Sequence, residues 1–238
     1  MPPQTQVKSS GSRGDAVTGK PISNTQRALG KLREMIFAGD LPAGSNHLET
    51  ELAAQLDMSR TPIREALLML EGQGLLELQP RKGVRILPIS PGDMADIYDV
   101  LTELESLSAE RAAIAGHPAS AFAPLEASID DMDKAIAAGN LDAWSAADDR
   151  FHRELVQLGG NGRVKAIVDM MSDQVRRARA ITLALRPLPT KSNEDHRKVF
   201  QAIKDGRPDI ARETHRAHRH HAKEIIVDVL EKHRLRFV

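Results

Sequence analysis

From residue 92 onward the chain carries helical periodicity and little else, broken only at GHPAS, AGN, GGNG, RPLPTKS and DGRPD. Those breaks leave six amphipathic stretches, roughly 92–116, 119–138, 141–158, 161–186, 191–205 and 208–234. Helices of that length joined by loops that short can bury their apolar stripes only against one another, so the expected architecture is an antiparallel all-helical bundle. Composition agrees: aromatic residues are 3% of the chain, too few for a sandwich core and well suited to Ala/Leu-rich helices. With 238 residues and 41% hydrophobic content there is apolar material for a second domain of ordinary size upstream of the bundle.

That upstream part reads differently. Residues 1–22 are rich in Ser, Gly, Lys and Pro with almost no large apolar side chains, and are expected to form a disordered arm. From Ser23 or Asn24, either able to cap, a helix runs through Leu29, Leu32, Met35 and Ile36 to Gly39. GDLPAGSNH reads as a loop, LETELAAQL as a short helix, and DMSR as a four-residue turn into a third helix, TPIREALLML. Ser59 or Thr61 can cap that helix, and Pro62 is tolerated because it falls in the first turn. LLEL and VRILPI are β-like runs joined by QPRKG, a hairpin with Arg81 and Lys82 at its tip.

Helix, loop, helix, tight turn, helix, basic hairpin is the element order of a winged helix-turn-helix over 23–88, with 89–91 as linker to the bundle of 92–238. In that geometry the first turn of the third helix meets base edges in the major groove. Arg60 and Arg64, one turn apart with Thr61 between them, suit this because a guanidinium can bond guanine O6 and N7 bidentately. Arg81 and Lys82 would meet phosphates and position the domain without reading sequence. Formal net charge is +0, so any contact with nucleic acid has to come from such a local patch. Periodicity alone leaves a small helical domain with ordinary solvated arginines equally open.

Between Ile36 and Pro88 the string Leu41–Pro42–Ala43–Gly44, Leu48–Glu49, Glu51–Leu52–Ala53, Ser59–Arg60–Thr61–Pro62–Ile63–Arg64–Glu65–Ala66–Leu67, Gly74–Leu75 and Gly83–Val84 resembles the DNA-binding domain of the GntR family of bacterial transcription regulators. The resemblance implies that Arg60 and Arg64 contact operator bases and that Gly83 shapes the wing. Thr50 stands where some members place a further DNA-contacting arginine, so the resemblance does not supply that contact.

Cysteine is absent, so disulfides and thiolate metal sites are excluded and any metal must use His and carboxylates. Asp148 and His152 lie four apart in DDRFHREL, on one helical face; His196 follows, and His215, His218, His220 and His221 crowd a late helix. Three imidazoles and a carboxylate would suit Zn²⁺ or Ni²⁺. An Asp–His surface pair and solvated histidines are the plainer reading of the same spacing. Asp148, Phe151–His152, Asn161, Asp195–His196, Ala202–Ile203, Ala211 and His218 together resemble the FCD effector domain of the FadR subgroup. That resemblance implies Asp148, His152, His196 and His218 as ligands of a divalent transition metal, with a small carboxylate effector beside it. His215 and His221 each lie one turn from His218. Many members carry an arginine four residues before the position of Glu105; here it is Leu101. The cation for an effector must then come from elsewhere, and Arg176, Arg177 and Arg179 on the long helix are candidates, with Asn161 as a further effector contact.

The expectation is a homodimeric, metabolite-responsive repressor that reads a palindromic operator in double-stranded DNA. No apolar run is long enough to span a bilayer and the start lacks a hydrophobic signal core, so the expected compartment is the cytoplasm, with no membrane partner. A metal-dependent hydrolase using the same Asp/His cluster is the alternative from another class. It would leave the third helix without a role.

Overall fold

Ser23 opens the first helix reciprocally: its hydroxyl accepts the Gln26 amide while the Gln26 side chain accepts the Ser23 amide. The structure, a computed structural model, describes residues 22–233, so the arm expected over 1–22 lies, except for Ile22, outside the described residues. Helix α1 (Asn24–Ala38) buries Ala28, Leu32 and Ile36 and stops at Gly39, whose φ of 83° is left-handed. The chain continues through β1 (Asn46–His47), α2 (Glu49–Gln55), α3 (Arg60–Gly72), β2 (Leu76–Gln79) and β3 (Gly83–Ile86). Ser59 stands at the N-cap of α3 without a side-chain cap bond, and Pro62 is buried in the first turn.

The hairpin forms as expected, with Leu76 opposite Ile86 and Gln79 opposite Gly83. A third strand was not expected: β1 comes out of GDLPAGSNH and pairs antiparallel with β3, giving the order β1-β3-β2. Two residues carry no alternation to read, and the pairing rests on backbone bonds such as Gly44 N–H to the Ile86 carbonyl (2.8 Å). Gly83 is where the two strands meet most closely. Its φ is 87°, and a Cβ there would sit 2.2 Å from the His47 carbonyl oxygen, so only glycine fits.

The remaining elements are α4 (Pro91–Ile114), a 3₁₀ turn (Ala119–Phe122), α5 (Ala123–Ala137), α6 (Leu141–Leu158), α7 (Gly162–Thr182), a second 3₁₀ turn (Leu183–Leu185), α8 (Thr190–Lys204) and α9 (Pro208–Lys232). Ser90 caps α4 by accepting the Asp93 amide, and Pro91 already belongs to the helix. Ile89, in the segment read as a linker, is buried with Met94, Ile97 and Tyr98. Among the described residues no helix is long and apolar enough to cross a membrane.

Two apolar clusters fill the bundle, and α4 and α9 pass through both. Along α4, Leu101 belongs to one cluster and Ala109 to the other, with Glu105 buried between them. Along α9, Ala211 and Ile226 play those parts, with His215, His218 and Arg219 between. A polar layer is thus held between two greasy ones, where water cannot dilute its charges. Helix α7 also lies against the winged domain: Arg33 Nε meets Asp173 at 2.6 Å, Gln174 donates to the Gln73 carbonyl at 2.9 Å, and Arg177 to the Leu87 carbonyl at 2.6 Å.

Candidate functional site

The face at the nose of α3 is built by burying its opposite flank. Pro62, Ile63, Ala66, Leu67 and Leu70 pack into the core, which leaves Arg60, Thr61 and Arg64 exposed. Arg81 and Lys82 are exposed at the hairpin tip, where Arg81 takes a φ of 65°. No ion pair joins Arg60, Arg64, Arg81 or Lys82 to another described residue, so their charges stay available. Arg85, exposed on β3, adds a cation that the sequence reading did not single out.

The second site is the polar layer of the bundle. Helix α6 supplies Asp148 and His152, α8 His196 and α9 His218; each is buried, and His152, His196 and His218 offer ligand atoms within 4.8 Å of one another. Asp148 approaches them, with oxygens 3.6 Å from His196 Nε2 and 3.8 Å from His152 Nε2. His152 Nδ1 faces Glu105 at 2.8 Å and one Asp148 oxygen meets Arg179, but the other Asp148 oxygen, His152 Nε2 and both His196 ring nitrogens are buried without a hydrogen bond. Buried polar atoms left in that condition normally have a partner. A divalent ion fits the set: three imidazoles, one carboxylate, and no competing thiolate. Burial pushes the His196 and His218 imidazoles well below their usual range, which keeps them in the neutral form that ligates.

His215, one turn before His218, is also fully buried, but its Nδ1 is held by the Ser106 hydroxyl at 3.1 Å and its Nε2 faces Glu105 at 3.5 Å. Glu105, His152 and His215 form a second, overlapping group. Burial lowers His215 to about 3. His220 and His221 are exposed and lie outside both groups.

Three of the expected effector contacts need correction or refinement. Asn161 lines neither cavity beside the histidines; its side chain caps α7 by accepting the Arg163 and Val164 amides, a role that a residue before a helix-opening glycine fills naturally. Arg176 bridges Asp149 and Asp173 and lies 5.5 Å over the Phe37 ring, so it is occupied by carboxylates and by the winged domain. Arg177 is buried and turned toward the Leu87 carbonyl. Arg179 does reach the site, contacting Asp148 and, at 2.9 Å, Asp149.

Sequence reasoning missed Arg219. It is 2% exposed, stacks 4.6 Å over Tyr98, and places Nη2 3.4 Å from Glu105. Burial alone would raise the Glu105 carboxyl; Arg219, then His152 and His215, outweigh it and hold it far below the usual carboxylate range. Leu101 and Arg219 line the same cavity, so a guanidinium that α4 lacks at Leu101 arrives from α9. A buried cation next to a buried carboxylate across the α4–α9 seam was the available signal, and it needs the helix pairing to be visible.

The fold and the buried site define a winged-helix regulator with a helical FCD domain. Residues 24–86 match the family described as bacterial regulatory proteins, gntR family, and residues 96–221 match the FCD domain. The Nta operon transcriptional regulator of Aminobacter aminovorans is 33% identical over 163 residues, covering 68% of this chain and 74% of that protein. The HTH-type transcriptional regulator YdhC of Bacillus subtilis is 29% identical over 214 residues, covering 90% and 95%. Among solved structures, E. coli McbR/YncC superposes with a TM-score of 0.72 at 19% identity, over 87% of this chain and 99% of that one, a likeness of fold. The chain belongs to the GntR family and is a transcription regulator.

Proposed function

We propose that the protein is a homodimeric, cytoplasmic repressor that binds a palindromic operator through Arg60, Thr61, Arg64, Arg81, Lys82 and Gly83, and that releases it when a small carboxylate enters the bundle. In this reading residues 23–88 are the reader and 92–238 the effector-binding and dimerisation domain. The observation that carries it is the pairing of an unneutralised basic face on α3 and the wing with a buried, hydrogen-bond-starved Asp/His layer in the other domain.

Asp148, His152, His196 and His218 would hold a divalent ion, Zn²⁺ or Ni²⁺ by ligand type, which supplies an electrophilic anchor for a ligand oxygen. Coordination requires the three ligating imidazoles to be neutral, and Asp148 and Glu105 then balance Arg179 and Arg219. A divalent cation therefore leaves the layer with two excess positive charges among buried side chains, and an anion is the ligand that relieves them. A hydrolase reading leaves α3 without a role.

Arg179 also connects the layer to the reader. It contacts Asp148 and Asp149; Asp149 meets Arg176 at 3.0 Å; Arg176 meets Asp173 at 3.4 Å; Asp173 meets Arg33 of α1 at 2.6 Å. An anion drawing on Arg179 re-partitions this series along α7 and shifts the populations of reader placements, which gains or loses contacts at both half-sites. Selection of bound duplexes from a random pool tests the reading: it predicts a two-fold symmetric sequence retained by a dimer, and no enrichment over random duplex refutes it.

A further inference from the structure

Two cavities meet the polar layer, and they differ in the charge of their walls. The one that also touches the reader, about 260 Å³, mixes charges: Glu105, Asp149, Asp169 and Asp173 line it beside Arg33, Arg153, Arg176, Arg179 and Arg219, so an anion there meets four competing carboxylates. The other, about 250 Å³, has no acidic residue among its described lining, and His152, His218, Arg179 and Arg219 form its inner end. Arg219 Nε is buried without a hydrogen-bond partner, and Nη2 has only the 3.4 Å approach to Glu105. Its outer walls are mostly apolar, with Leu183 and Leu188 from the α7–α8 connection, Ile225 and Ile226 from α9, and Trp144 from α6; Arg186, Lys191, Ser192 and His221 are the polar residues among them. The indole is fixed by donating to Asn193 at 2.8 Å.

We infer that this cavity takes a small carboxylate with an apolar body, aryl or branched alkyl, its head on Arg219 and Arg179 and its body against Trp144, Leu188 and Ile226. The inference rests on the effector reading above and adds the chemical class. A guanidinium pairs with a carboxylate through parallel N–H bonds, so the head group follows from the inner end. The walls decide the rest. A polyhydroxylated acid would set most of its hydroxyls against Leu, Ile and Trp, where few partners are at hand, and each one left unpaired costs affinity. The volume lies just below the roughly 300–1,000 Å³ of drug-sized pockets, which limits the body to a small one.

Trp144 is the chain's one tryptophan, so its emission reports this cavity directly. The full-length, zinc-loaded protein is titrated with phenylacetate, 4-methylpentanoate, gluconate and phenylacetamide, following Trp144 emission and release of operator duplex in parallel. Phenylacetate and 4-methylpentanoate should bind at least about tenfold more tightly than gluconate and release the operator; the uncharged amide should do neither. Arg219→Leu should abolish carboxylate binding and Arg219→Lys should restore part of it. Leu188→Ser, on an exposed connection where folding is not at stake, should weaken both apolar acids and leave gluconate unchanged. Release by gluconate with the apolar acids inert would overturn the ligand class while leaving effector control standing. Phenylacetamide binding as tightly as phenylacetate would remove the arginines from the site. Operator retained with all four compounds and unchanged emission would overturn both the class and the effector reading.

Discussion

Replacing His196 by Leu should make the protein more stable without metal and less stable with it. His196 is fully buried, its ring 4.2 Å from that of Phe151 and 4.4 Å from that of His218, and neither of its nitrogens has a hydrogen-bond partner. An imidazole buried in that condition costs about 1–3 kcal/mol in all. A leucine of similar volume removes that cost and introduces a shape mismatch of up to about 1.5 kcal/mol. The chelated variant should therefore match chelated wild type or exceed it by about 1–3 kcal/mol. Metal reverses the order. At a thousandfold excess over Kd a divalent ion adds about 4 kcal/mol to the wild-type fold. That corresponds to a rise of roughly 10 °C at about 2–4 °C per kcal/mol. The variant lacks a ligand and should gain almost nothing. Scanning calorimetry of chelated and zinc-loaded forms of both proteins reads the four values. A variant that keeps the wild-type metal increment, or a chelated variant several kcal/mol below wild type, would refute the reasoning.

Arg64→Ala should lower affinity for the selected operator by about 1–3 kcal/mol more than for random duplex, whereas Lys82→Ala should weaken all duplexes alike and flatten the salt dependence, both by fluorescence anisotropy. Gly83→Ala should collapse the β1–β3 contact, because the new Cβ meets the His47 carbonyl; amide exchange in the wing should rise while the bundle keeps its protection. The chelated protein should lose stability as pH falls below about 6.5, the ordinary histidine value. Burial holds the folded-state pKa of His196, His218 and His215 below that value, so the unfolded chain takes up protons that the folded one refuses. The stability is fully present above that pH and falls by about 1.4 kcal/mol per unit for each such histidine, down to about 3 for His215. Urea midpoints equal at pH 7.5 and 5.5 would contradict this.

The helices were legible where their ends are marked chemically: Ser23 and Gly39 for α1, and Gly206 and Pro208 before α9; Ser90 and Pro91, read as linker, instead cap and open α4. Strand β1 was not, since two residues paired only through backbone leave no pattern in side chains. In the site, the spacing of Asp148 and His152 carried real information because one face of α6 turns inward. Arg219 was hidden for the opposite reason. In a run of His and Arg on α9 nothing distinguishes the inward cation from its solvated neighbours until α4 brings Tyr98 and Glu105 against it. Asn161 was ambiguous because a side chain that suits an effector also suits a helix cap, and here it caps α7.

Coupling between the buried layer and the reader is the central claim, and reciprocity gives its most direct measurement. If ligands in the bundle change operator affinity, the operator must change their affinity by the same factor. Zinc-dependent phenylacetate affinity is measured by Trp144 emission with and without saturating operator duplex, on wild type and on Asp173→Asn, which breaks the contact to Arg33. The account predicts weaker phenylacetate binding to the operator-bound wild type and a much smaller difference in Asp173→Asn. Identical affinities with and without operator in the wild type would contradict it.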